Sequence, residues 1–131
     1  MMKRLLVILA VAVACLAAAP LASACSNTGY ISMVQKVNVK ALYANNLSQS
    51  GLYPEARSAY ASALRMHTYG TRPCASALVG VRSTYQSGLS DWYTGSRYVA
   101  QGAVGTALRF IKRGTAKIGY ATEQLKLYNQ R

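Results

Sequence analysis

The residues able to do chemistry in this chain are few, and their kinds point to binding rather than catalysis. Of 131 residues, 15 are Lys or Arg and 3 are Asp or Glu, with a single His. General acid/base work draws on paired carboxylates, and zinc sites draw on several His or Cys ligands. Nucleophilic triads need a His beside an acid. Glu55, Asp91, Glu123 and His67 are too few and too dispersed for any of these. No catalytic residue, metal or cofactor is therefore expected. Glu55 suits the positive end of a helix dipole, and His67 suits the C-terminal cap of the same helix. Trp92-Tyr93 with Arg97-Tyr98 forms either a basic aromatic pocket or the filling between two helices, with Trp92 the better core candidate.

The cations carry a stronger signal. Arg109, Arg113 and Lys117 are spaced by four, so they stack along one side of a helix. Lys112 lies beside them, with Phe110 and Tyr120 interleaved. A second, weaker cluster is Lys36 and Lys40 beside Tyr43. Residues 25–70 hold four basic residues against Glu55, a net of +3, while residues 71–131 hold nine against Asp91 and Glu123, a net of +7. That asymmetry makes the C-terminal half an electrostatic docking surface. Its expected partner is an acidic envelope or secreted protein, steered by that field. Anionic lipid or envelope polymer is the second choice, because a basic amphipathic helix with exposed apolar residues suits a membrane surface. Nucleic acid would use the same Lys, Arg and Tyr residues, but export weighs against it.

Export is read from the N-terminus. Met1-Met2-Lys3-Arg4 is a basic start and Leu5 to Ala19 an uncharged run of 15 residues, followed by Pro20 and the small residues Ala22-Ser23-Ala24. This arrangement resembles a bacterial signal peptide. It places the protein in the periplasm or outside the cell, with residues 1–24 removed. The remaining 107 residues carry 13 basic and 3 acidic side chains, a net charge of +10, and form one small domain over residues 25–131. Cys15 leaves with the signal, and Cys25 and Cys74 remain. Two cysteines in an oxidising compartment are read as one disulfide. The competing reading is a membrane anchor, since a Cys directly after the signal resembles a lipoprotein's first residue. Ala22 stands where a lipobox has Leu, and lipidation would orphan Cys74.

The elements that position these residues are helical. Leu, Ile, Val and Phe number only 20 of the 107, but ten Tyr and thirteen Ala supply area and close packing. The expected fold is all-α: a small antiparallel bundle of about four helices. Tyr30, Val34, Val37, Ala41 and Ala44 share one face of a first helix, ended by Gly51. Pro54 and Glu55 open a second, which buries Ala56, Tyr60, Ala63 and Leu64. Pro73 opens a third with Leu78, Val81 and Tyr85 inward, and Gly88 breaks it. Ser90 to Tyr93 start a further element, interrupted at Gly95-Ser96 with Ser96 as an N-cap. The last, long amphipathic helix has a seam of Val104, Leu108, Ile111, Thr115, Ile118, Thr122 and Leu125. Off that seam lie the cations, with Phe110, Tyr120 and Leu127 left outside.

One stretch resembles a known family. Gly51, Tyr53, Glu55-Ala56, Tyr60 and Ala63-Leu64 fall as in the second half of a tetratricopeptide repeat. The first half, about residues 39–50, departs from it: Lys40 takes the Trp position and Leu47 replaces an aromatic. No second copy follows 34 residues later, where that family's period places one. The resemblance covers a single hairpin, about residues 39–66, and implies a helical pair that serves protein–protein contact. The expected function is that of a non-catalytic interaction or adaptor module of the envelope with a basic docking face. The alternative is a cationic membrane- or polymer-binding protein, anchored through Cys25 if that residue is lipidated.

Overall fold

The computed structural model describes residues 24–131; the expected export segment lies outside these apart from Ala24. Four helices follow in order: α1 (Asn27–Gln49), α2 (Tyr53–Tyr69), α3 (Ser76–Ala100) and α4 (Val104–Asn129). Among the described residues there is no strand, and the fold is the all-α bundle that the periodicities predict.

Chain direction reverses at two turns of the same construction. Gly51 and Gly102 adopt positive φ, 79° and 78°, where a side chain would be strained. At each, the following residue's N–H reaches back to the third-last helical carbonyl, Leu52 to Leu47 and Ala103 to Tyr98, both at 2.9 Å. These are Schellman turns. Leu52 and Ala103 then cap the next helix with matching backbone angles, φ −87° and −86° with ψ 66° in both. The chain is thus two helical hairpins whose turns lie 51 residues apart, and their inward positions correspond: Ala56 to Ala107, Ala63 to Gly114, His67 to Ile118. The two hairpins share a geometry without sharing side chains.

Within the first hairpin, every expected inward residue of α1 is buried, Tyr30, Val34, Val37, Ala41 and Ala44. On α2, Ala56, Tyr60 and Ala63 are buried and Leu64 half so. Leu78, Val81, Tyr85 and Leu89 of α3 form one core with Tyr30, Val34, Val37, Ala41 and Ala63 of the first hairpin and Ile118, Ala121 and Leu125 of α4. Ala44, Ala56 and Tyr60 form a second, smaller cluster. Pro73 does not open α3; it is buried in the segment before, and the helix starts at Ser76.

The second hairpin corrects two expectations. Gly88 and Gly95 do not break the helix, because α3 runs unbroken through both, and Ser96 is no N-cap but donates its hydroxyl to the Tyr93 carbonyl at 2.6 Å. The seam of α4 also differs. Val104 and Leu108 are 56% and 48% exposed, and the buried line is Ala107, Gly114, Ile118, Ala121 and Leu125. One physical cause underlies both differences. α3 and α4 approach so closely that a glycine of one helix lies directly against the side chain or backbone of the other. A Cβ on Gly88 would sit 2.6 Å from Ile118 Cγ1, and one on Gly114 would sit 2.8 Å from the Gly88 carbonyl oxygen. Large residues on both helices at these contacts would push them apart, so Ile111 and Ile118 are seated over Gly95 and Gly88 while Val104 and Leu108 stand aside.

That contact predicts opposite signs for one substitution in one helix. Gly119→Ala meets nothing within 4 Å and should stabilise the protein by about 0.5–1 kcal/mol, through helix propensity. Gly114→Ala forces backbone apart and should cost about 1–3 kcal/mol despite the same propensity gain. Denaturant midpoints that move in the same direction for both variants would contradict the close approach.

Candidate docking face and anion cleft

The cations of α4 divide into two groups. Asp91 is 8% exposed on α3 and holds two of them. Lys117 Nζ donates to Asp91 Oδ2 at 2.8 Å and to Ser87 Oγ at 2.8 Å. Arg113 donates through Nε and Nη2 to the two carboxylate oxygens, both at 3.3 Å. Burial alone would raise the Asp91 carboxyl, but the hydrogen bonds and charges of Lys117 and Arg113 outweigh it and hold the group below its usual 3.8. Arg113 and Lys117 are therefore not free members of the expected basic face. Their side chains turn toward α3 because the carboxylate there is nearly out of water. Neutralising both would leave Asp91 without a counter-charge. The Arg113→Gln/Lys117→Gln variant should lose about 1–3 kcal/mol in urea unfolding, discounted for the partial exposure of both cations. An unchanged midpoint would show that Asp91 is hydrated instead.

Lys126 lies exposed in the last turn, and Arg109 and Lys112 remain. Both are exposed, and neither has an ion-pair partner among the described residues. Tyr120 and Leu127 lie on the same outer ridge and are likewise exposed, 61% and 45%. Phe110 is not outside as the sequence pattern predicts. It is half-buried, stacked on Tyr98 at 5.5 Å between ring centroids, with the Arg113 guanidinium 4.8 Å over its ring. The stack closes the tip of the second hairpin. On one side of it Thr106, Arg109, Phe110 and Arg113 line a cleft of about 230 Å³, and on the other lies a smaller hollow bounded by Arg97 and Tyr98.

Lys36 and Lys40 belong elsewhere. Lys36 is exposed on α1, while Lys40 is half-buried and its Nζ reaches Ser62 Oγ of α2 at 3.4 Å. Among the described residues no side-chain hydrogen bond or ion pair links them to the α4 cations; the one hydrogen bond here runs from Lys40 to Ser62. Tyr43 is exposed nearby and lines a shallow groove between α1 and α2 with Leu47, Pro54 and Glu55. Val39 and Leu42 are exposed on the same helix as Tyr43, spaced as one outward face. Glu55 sits in the first turn of α2 as its helix-start role requires.

Trp92 is partly buried and joins both hydrophobic clusters, 6.2 Å from Tyr60 by ring centroid, with its Nε1 donating to Thr115 Oγ1 at 3.1 Å. Arg97 lies 6.0 Å from the Tyr93 ring centroid.

His67 also departs from its expected role. It is fully buried rather than capping a helix end in water. Its Nδ1 donates to Gln86 Oε1, and its Nε2 accepts the Tyr30 hydroxyl proton at 2.9 Å. Gln86 in turn donates to Thr68 Oγ1, and Thr68 donates to the Leu64 carbonyl. The network accepts one tautomer only, the neutral ring protonated on Nδ1. Burial lowers the His67 pKa below its usual 6.5; the Gln86 hydrogen bond opposes this and the Arg82 charge adds to it. A folded value below the unfolded one means that stability is present above about pH 6.5 and lost as pH falls through the folded value. Denaturation midpoints measured from about pH 8 to about pH 5 should fall with His67 in place and flatten in His67→Phe. A midpoint insensitive to that range would show that the ring titrates as in water. The sequence offered one missed signal here: His67 follows Ala63 and Tyr60 at helical spacing, on the buried face.

At this same end of the bundle, opposite the Gly51 and Gly102 turns, the cysteines meet. The Cys25 and Cys74 sulfur atoms lie at bonding distance, 1.97 Å, with Cα atoms 5.1 Å apart. Asn27, which sequence reading passed over, accepts from the backbone N–H of Cys74 and Ala75 at 2.8 and 2.9 Å and donates to the Tyr128 hydroxyl at 3.2 Å. One side chain so ties the start of α1, the α2–α3 connection and the end of α4.

Among the described residues no helix is long and apolar enough to cross a membrane, and no three His, Cys, Asp or Glu side chains come together as a metal site. Comparison of the chain with family models, with curated proteins and with solved structures gives no match.

Proposed function

We propose that this chain is an exported helical interaction module of the bacterial envelope, non-catalytic, whose basic α4 face docks an acidic protein partner. The observation that carries this reading is the charge balance on the surface. Asp91 is consumed inside the fold together with Arg113 and Lys117. Glu55 and Glu123 alone therefore stand against the other eleven basic residues of 25–131, and Arg109 and Lys112 have no ion-pair partner among the described residues. A field of that sign raises the association rate of an acidic partner. The exposed Val39, Leu42 and Tyr43 on the tetratricopeptide-like hairpin supply apolar contact area beyond charge. Disulfide distance between Cys25 and Cys74 favours the oxidising compartment over a lipid anchor, since a thioether-linked Cys25 could not also bond Cys74.

Capture from envelope extract tests the reading. The Arg109→Gln/Lys112→Gln variant keeps the Asp91 pairs intact, so it should fold normally yet lose the partner retained by the unmodified chain. Equal capture by both would reject the α4 face.

A second reading, direct adsorption to an anionic membrane or polymer, is favoured by Tyr120 and Leu127 sharing the ridge of Arg109 and Lys112. It predicts salt-sensitive binding to anionic vesicles with no protein retained.

A further inference from the structure

We propose that the cleft lined by Thr106, Arg109, Phe110 and Arg113 is a phosphate-binding subsite. Docking through a diffuse field needs no shaped site, so this goes beyond the function proposed above and fails or stands separately from it.

The four residues lie on successive turns of one helix face and line one cleft of about 230 Å³, room for a tetrahedral oxyanion with a few waters. Arg113 is held in place from two directions. Asp91 takes its Nε and Nη2, and the Phe110 ring lies under its guanidinium. The Nη1 donors are left for a ligand. Arg109, four residues earlier, has no competing acid among the described residues. Arg109 offers an anion a whole guanidinium fork and Arg113 its remaining Nη1 donors, a set that phosphate or carboxylate accepts.

Other features separate phosphate from its competitors. Thr106 adds a hydroxyl and lies in the first turn of α4, whose N-cap Ala103 has no side chain to satisfy the open N–H groups. Two guanidinium groups and a hydroxyl along one helix face suit a doubly charged anion better than a singly charged carboxylate. A nucleobase is poorly served, because Tyr98 covers one face of Phe110 and Arg113 covers the other.

The test is a titration of the folded chain with inorganic phosphate at constant ionic strength, followed by amide and arginine Nε resonances. The expected result is a saturable shift at Thr106 and at the Arg109 and Arg113 Nε groups, absent when chloride replaces phosphate. Arg109→Gln should weaken the affinity about tenfold or more. Arg57→Gln, which removes an exposed and unpaired charge from α2, should leave it unchanged. Shifts that do not saturate, that chloride reproduces, or that Arg109→Gln and Arg57→Gln reduce equally would overturn the subsite. Vesicles of phosphatidylglycerol and of phosphatidylcholine separate the sources. Phosphate saturation with anionic-vesicle binding lost in Arg109→Gln assigns the site to a lipid headgroup. Saturation with vesicle binding unaffected by that variant assigns it to a soluble phosphate compound. Loss of partner capture without phosphate saturation would keep the docking face and reject the subsite alone.

Discussion

Replacing Cys25 and Cys74 together by serine should lower the stability of the folded chain by about 4 kcal/mol, the largest single effect expected here. The cross-link joins residues 49 apart, and closing a loop of that length removes roughly this much free energy from the unfolded ensemble in the chain-entropy account. The folded state changes little, because the backbone N–H of Ser26 donates to the Arg72 carbonyl at 2.8 Å and Asn27 holds Cys74 and Ala75 independently of the sulfur atoms. A domain of this size has a total stability of only about 5–15 kcal/mol, so much of the margin rests on one bond. Equilibrium urea unfolding of the oxidised chain, the serine variant and the reduced chain measures it. A loss below about 1 kcal/mol would mean that residual structure already restrains the unfolded chain near these residues.

Ile118→Ala comes next, at about 2–5 kcal/mol. Ile118 is 7% exposed and fills the hollow over Gly88, where α3 and α4 touch through backbone. Truncation opens a cavity that the helices cannot close, because the Gly114 oxygen already lies 3.1 Å from the space above Gly88. A double-mutant cycle makes the test specific. Gly88→Ala alone should destabilise, since its methyl would strike Ile118. In the Ile118→Ala background the same methyl enters the vacated space, so its cost should shrink or reverse. The two changes are then strongly non-additive. Additive effects would place Ile118 against some other neighbour.

Both expectations concern places where the sequence was informative to different degrees. The faces of α1, the Gly51 turn, Pro54 and Glu55 at the start of α2, and the pairing of the two cysteines are all legible from spacing and residue type. Local rules govern them: helical periodicity, the left-handed preference of glycine and the scarcity of cysteine. Gly88 and Gly95 look like breakers by those same rules, yet they lie inside α3. Helix propensity costs them about 1 kcal/mol each, and the close packing against α4 outweighs it. The regular spacing of Val104 and Leu108 with Ile111 misled at the first two for a related reason: it marks helix, but not which side meets a neighbour.

The candidate site divides along the same line. Composition and spacing together determined that this protein is strongly basic, poor in catalytic side chains and helical, because charge, chemistry and periodicity are properties of the chain itself. Which cations stay free was decided only in three dimensions. Arg113 and Lys117 are indistinguishable from Arg109 in sequence, but Asp91, more than twenty residues away, draws them inward. Phe110 looks stranded among charges until the hairpin turn at Gly102 brings Tyr98 onto its face. His67 looks like a surface cap until Tyr30 and Gln86, from two other helices, close over it. Side-chain partners from distant segments carry no local signature. Only the packing of helix on helix, within and between the hairpins, sets which polar group is buried, which charge is neutralised and which stays exposed.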